Sequence, residues 1–123
     1  MKWFSLCVGS LAGGVSRYIL AGFVYKYLGS NFPFGTLVVN LSGCFLIGFL
    51  NVLAVEKFLL NPNTRVLLIA GFCGAFTTFS TLILETVNLF KDGELMKSLL
   101  NGVGSLLLGI TLFYLGQITA KML

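Results

Sequence analysis

Four long apolar runs, separated by short charged and turn-forming stretches, set the pattern of this chain. They extend from about residue 3 to 28, 34 to 55, 66 to 90 and 98 to 120, and each reaches the roughly 20 residues needed to cross a hydrocarbon core. Between them stand Gly29-Ser30-Asn31-Phe32-Pro33, Asn61-Pro62-Asn63-Thr64 and Lys91-Asp92-Gly93-Glu94. Lipid offers the backbone no hydrogen-bond partner, so a crossing segment must be a helix or part of a closed barrel. These runs are too long and too continuously apolar for barrel strands. The pattern therefore predicts one all-α membrane domain of four transmembrane helices, with Pro33 at a helix start, where its missing N–H costs nothing. Trp3, Phe4, Tyr25, Tyr27, Phe32 and Phe34 gather near run ends, as an interfacial aromatic belt would. Lys2 and the small residues Ala12-Gly13-Gly14 faintly suggest a signal peptide, but the first run continues past Arg17 to Leu28, so a retained helix is expected.

Composition agrees. Of 123 residues, 57% are hydrophobic and 10% charged, against about 25% charged in a soluble domain. The expectation is a multi-pass protein of the cell membrane with the lipid bilayer around it. The net charge of +4 is spread singly and forms no basic run of the kind that tracks nucleic acid. There is no histidine, which excludes a His-based metal site or proton relay. Cys7, Cys44 and Cys73 are far apart inside apolar runs and read as small buried residues. No phosphate-binding loop is present, so neither ATP-driven transport nor enzymatic work is supported.

Four crossings put both termini and the second loop on one side. That side carries Lys2, Lys57, Arg65 and Lys121, and the other Lys26, Lys91 and Lys97. Four against three is too small a bias to set one orientation. Insertion both ways, and pairing as an antiparallel dual-topology homodimer, is the expectation.

The third run holds the densest chemistry. No charge occurs from Val66 to Leu84, yet Gly71 and Gly74 are followed by four hydroxyls within five residues: Thr77, Thr78, Ser80 and Thr81. Such clusters accompany helix breaks, where freed backbone groups are satisfied nearby. A break near Gly74–Thr77 would expose carbonyls such as those of Gly74 and Thr77, hard oxygen ligands suited to a small alkali cation. Beyond it, Thr78, Thr81 and Glu85 share a helix face. Hydroxyl donors and the electropositive edges of phenyl rings together suit a small anion.

The other runs add single polar residues. In the first, Gly9 and Gly13 form a small-xxx-small pair for close helix packing, and Arg17 lies about 20 Å from Trp3 along a helix. A guanidinium there costs about 2.5–3.5 kcal/mol on insertion scales unless it finds water or a partner. It lines an anion-attracting vestibule, pairs with Glu85, or snorkels toward the side of Lys26. In the second, Thr36, Asn40, Gly43 and Cys44 share a face, and Asn40 either bonds a neighbouring helix or offers its NH2 to a passing anion. In the fourth, Asn101 and Ser105 are one turn apart and could face the same path.

Gly13-Gly14-x-x-Arg17-Tyr18, Gly35-Thr36-Leu37-x-x-Asn40-x-x-Gly43 and Gly71-Phe72-Cys73-Gly74-x-x-Thr77-Thr78-Phe79-Ser80-Thr81 together resemble the Fluc/CrcB family of fluoride channels, across all four runs. The resemblance implies a passive route by which fluoride leaves the cytoplasm, relieving its toxicity. It implies an antiparallel dimer with two pores, and a structural sodium ion (Na+) on the dimer axis held by backbone carbonyls of Gly74 and Thr77 from each subunit. It also implies an anion pathway of Asn40, Phe79 and Ser105, with a polar track of Thr36, Ser80 and Thr81 leading toward Glu85, and Arg17 in the vestibule. Leu82 stands where a second pore phenylalanine is often found, and Asn101 where a tyrosine sometimes sits. The competing reading is a small multidrug-type proton-coupled exporter, which needs a membrane-buried carboxylate. Only Glu85 qualifies, near a run end, and the arginine in the first run has the wrong sign for a cation carrier.

Overall fold

The computed structural model describes residues 1–123 and is helical throughout, with no strand. Helix α1 is Lys2–Leu28 and α2 is Phe34–Asn51, prolonged by a π-helical turn, Val52–Glu56. Helix α3 covers residues 62–76, of which Val66–Cys73 is π-helical; α4 is Phe79–Lys91 and α5 is Leu95–Lys121. Taken with α3 and α4 as one interrupted span, four segments of 27, 23, 30 and 27 residues are long and apolar enough to cross a membrane.

Local sequence explains the ends. Helix α1 stops at Gly29, whose φ of 78° suits a residue without a Cβ, and the Gly29 N–H donates to the Tyr25 carbonyl at 2.9 Å. Pro33 occupies the cap position just before α2. The next loop passes through Phe58 at φ 53°, a left-handed conformation uncommon outside glycine. Asn61 then caps α3, its side chain accepting the Thr64 N–H at 2.8 Å, with Pro62 in the first helical turn.

Two helix pairs form the bundle, α2 with α5 and α1 with the π-helical part of α3. Both rest on glycine. A Cβ on Gly48 would run into the Phe113 carbonyl, and one on Gly116 into the Phe45 carbonyl, so each backbone seats in the other's gap. Gly9 and Gly13 do the same for α1, against the carbonyls of Leu67 and Phe72. Backbones at such distance gain dispersion contact, the main attraction left when the solvent is itself apolar. Only 22 of the 123 residues are buried, and large apolar side chains such as Tyr18, Phe23, Leu106 and Ile118 point outward. That inversion is stable only in hydrocarbon. The Glu56–Lys121 ion pair, 3.8 Å across and solvent-exposed, is of the kind that adds about 0–1 kcal/mol, but it shows the second loop and the C-terminus on one side, as four crossings require.

Gly48→Val or Gly116→Val should separate α2 from α5 and abolish monodisperse protein in detergent. Gly22→Ala, at a position with nothing within 4 Å of the added carbon, should elute as the parent does. Size-exclusion chromatography distinguishes the two.

Candidate functional site

The third span is interrupted at Thr77 and Thr78, both extended (φ −86°, ψ 155° and φ −148°, ψ 112°), and helix resumes at Phe79. The break thus lies at the end of the predicted Gly74–Thr77 stretch. Gly74 itself is helical, with φ −63° and ψ −38°. The reason is where partners are found: the first backbone N–H to leave the helix is that of Thr78, and a side chain on α2 is waiting for it.

That side chain is Asn40. Its Oδ1 accepts the Thr78 N–H at 2.8 Å, and its Nδ2 donates to the Thr78 carbonyl at 3.1 Å. The amide acts as a peptide group would, closing a two-bond ring with one residue. Of the two readings open from the sequence, bonding to a neighbouring helix is the one seen, and one Nδ2–H remains free of it. Gly43, three residues on, leaves room for Thr77: a Cβ there would meet the Thr77 methyl. The Asn40-x-x-Gly43 spacing is thereby explained as one bond and one gap serving adjacent residues of the break.

The Thr77 donors and the Thr78 hydroxyl are satisfied locally. The Thr77 N–H and hydroxyl both donate to the Cys73 carbonyl, at 3.1 and 2.9 Å. Thr78 Oγ1 accepts the Thr81 N–H at 3.3 Å, capping α4, and donates to Thr81 Oγ1 at 3.0 Å. Several carbonyls at the end of α3 lose their helical donors, those of Gly74 and Thr77 among them. The Gly74 carbonyl would take the Thr78 N–H in an unbroken helix, and the Thr77 carbonyl the Thr81 N–H; both donors are now engaged elsewhere. Gly74 is also exposed, with nothing of this chain closer to an added Cβ than Ile69 O at 3.9 Å.

Asn40, Phe79 and Ser105 line one open groove of about 750 Å³, between α2, α4 and α5. Leu82, Thr86, Cys44 and Gly109 share its wall. Phe79 is 75% exposed, so its ring stands free of this chain's core. Ser105 is 8% exposed, and its Oγ has no hydrogen-bond partner. Asn101 is buried behind it and does structural work: its Nδ2 donates to Thr86 Oγ1 at 2.9 Å, while Ser98 Oγ donates to the Thr86 carbonyl at 2.8 Å.

The other expected residues lie elsewhere. Ser80 is exposed, Thr81 is bonded to Thr78, and Thr36 is buried on α2. Glu85 borders a second cavity of about 350 Å³ with Tyr25, Asn31, Asn88 and Asp92, its Oε2 accepting the Tyr25 hydroxyl at 2.9 Å. Arg17 is half-buried and has no carboxylate within 4.0 Å, so the pairing with Glu85 is not formed. Sequence reasoning missed Tyr25, Thr86 and Ser98. Tyr25 read as an interfacial aromatic, and its bond to Glu85 spans 60 residues; the one available signal was Gly35, whose added Cβ would strike the Tyr25 ring.

Fold and site together define a small four-span membrane protein with a largely apolar groove, carrying a few polar groups, beside a broken helix. The family model described as CrcB-like protein, Camphor Resistance (CrcB), matches residues 4–117. The chain is similar to the fluoride-specific ion channel FluC of Chlorobium phaeobacteroides (strain BS1), 46% identical over 114 residues, 93% of this chain and 88% of that one. It is similar to the protein of the same name from Hydrogenobaculum sp. (strain Y04AAS1), 39% identical over the full length of both. A third of that name, from Methylococcus capsulatus (strain ATCC 33009 / NCIMB 11132 / Bath), is 41% identical over all of this chain but 54% of its own length. The chain belongs to the CrcB-like family.

Asn40→Ala should leave the Thr78 N–H and carbonyl unpaired, at about 1–3 kcal/mol for each group. We expect a clearly lower unfolding temperature in detergent and faster amide exchange at Thr78. Unchanged exchange there would mean that Asn40 does not hold the break.

Proposed function

We propose that this chain is the subunit of a passive, fluoride-selective channel that lets fluoride leave the cell. The observation that carries the reading is the groove beside the break, in a chain whose relatives are named fluoride-specific ion channels. Its wall offers donors without acceptors: the second Nδ2–H of Asn40, the unpartnered Ser105 hydroxyl, and the edge of the exposed Phe79 ring. A small, strongly hydrated anion gives up water only where donors replace it at close range. Hydroxyls of Ser80 and Thr81 continue the donor line toward Thr36 and Glu85, and Arg17 supplies positive charge to a vestibule.

The groove is open on one side in a single chain, and a second copy closes it in this reading. The near-balance of lysine and arginine across the two sides allows that copy to insert upside down, so the dimer is antiparallel with two pores. The axis then brings together Gly74 and Thr77 of each copy. Support for a structural sodium ion there is the state of their carbonyls, which have lost their helical donors to Asn40 and Thr78. Two such oxygens per chain make four in the dimer, the hard-oxygen surroundings a small alkali cation takes. The sodium ion would hold four carbonyls that lipid cannot solvate. A proton-coupled cation exporter fits less well, because Glu85, the carboxylate it would need, is tied to Tyr25 at the end of the third span.

In liposomes loaded with both anions, fluoride should leave far faster than chloride, and Phe79→Ala should slow fluoride. Equal rates for the two anions would overturn the selectivity. Dialysis against sodium-free buffer should shift the protein from dimer toward monomer on size-exclusion chromatography; a dimer indifferent to sodium would remove the Gly74/Thr77 site.

A further inference from the structure

The Glu85 carboxylate poses a problem for an anion path. It lies one turn beyond Thr81 on the same face of α4, the geometry in which side chains four apart meet. A carboxylate accepts hydrogen bonds and donates none, so it competes for the same hydroxyls that an anion needs and repels the anion as well. Glu85 Oε1 is buried and has no partner within the chain. Thr81 Oγ1 accepts from Thr78, which leaves its own proton free to donate. A mobile Glu85 would turn toward that hydroxyl and fill the track with the protein's own anion.

It is held instead by Tyr25. The phenol of α1 donates to Glu85 Oε2 at 2.9 Å, and the ring is seated against Gly35 of α2, where a Cβ would collide with it. The glycine gap fixes the ring, the ring fixes the hydroxyl, and the hydroxyl fixes the carboxylate at the edge of the 350 Å³ mouth cavity. We infer that Tyr25 is a positioning residue for anion passage, restraining the Glu85 carboxylate from the Thr81 hydroxyl so that this hydroxyl stays available to the moving ion. The inference rests on the channel reading above and names a residue that the reading did not use. Tyr25 needs no contact with the anion; it acts through Glu85.

Four proteins test it: wild type, Tyr25→Phe, Glu85→Gln and the double variant, each reconstituted in liposomes for initial fluoride efflux. Phenylalanine keeps the ring against Gly35, so the packing survives and only the hydroxyl is lost. Tyr25→Phe should lower efflux about tenfold, the scale on which one charge-assisted hydrogen bond registers in a barrier. In the Glu85→Gln background the same change should have little further effect, because no charge remains to be restrained. Wild-type efflux in Tyr25→Phe would overturn the inference. So would an equal loss in both backgrounds, since a merely structural hydroxyl would be missed whether or not residue 85 is charged. A wild type with no fluoride efflux would overturn the channel reading and this inference together, whereas a conducting wild type with an indifferent Tyr25→Phe would overturn this inference alone.

Discussion

Every backbone polar group inside a bilayer has to find its partner in the protein, and a helix that stops mid-span frees several at once. In this chain the break is two residues long, and the Asn40 amide resolves it by pairing with both the N–H and the carbonyl of Thr78. The rest of the site follows from that reciprocal pair. It lets α4 restart at Phe79, places the ring in the groove, and gives Thr78 the role of helix cap. It also takes the Thr78 N–H from the Gly74 carbonyl, while the Thr78 cap takes the Thr81 N–H from the Thr77 carbonyl, so carbonyls freed from helical bonding lie beside the groove.

Such a pair works only if α2 is held at the right depth and distance from the break. Dispersion between closely seated backbones provides this, since hydrocarbon gives helices little reason to associate through apolar area alone. Gly48 and Gly116 lock α2 to α5, while Gly9 and Gly13 lock α1 to α3. Each lock tolerates no Cβ. Asn40 and Gly43 then connect the two locked pairs across the break, so glycine placement along three helices sets the geometry of one amide.

Polar groups around the groove and beyond it divide by chemistry. Asn40 and Ser105, which have protons to give, are among the residues that line the groove. The acceptor that would oppose an anion, the Glu85 carboxylate, borders the second cavity and is tied to Tyr25. Asn101 uses its amide to brace α4 through Thr86 rather than to line the groove. Leu82 is in the groove wall, so a side chain without a ring edge or a donor forms part of its surface.

Helix number, approximate ends and membrane setting were legible in the sequence, because spanning length and apolar composition are properties of each segment taken alone. So was the existence of an interruption in the third span, since four hydroxyls in five residues have no place in an unbroken lipid-facing helix. Its position was legible only to within a few residues. Glycine pointed to Gly74, but the chain departs from helix at Thr77 and Thr78, where Asn40 meets it. A local propensity cannot know where a partner on another helix will stand. The same limit hid the bond from Tyr25 to Glu85 and the brace from Asn101 to Thr86, and it left Arg17 with a choice of partners that the packing then narrowed. What the chain determined by itself is what each segment needs from its surroundings; which residue supplies it was decided by the crossing of helices far apart in sequence, brought to contact by glycines that leave no room for anything larger.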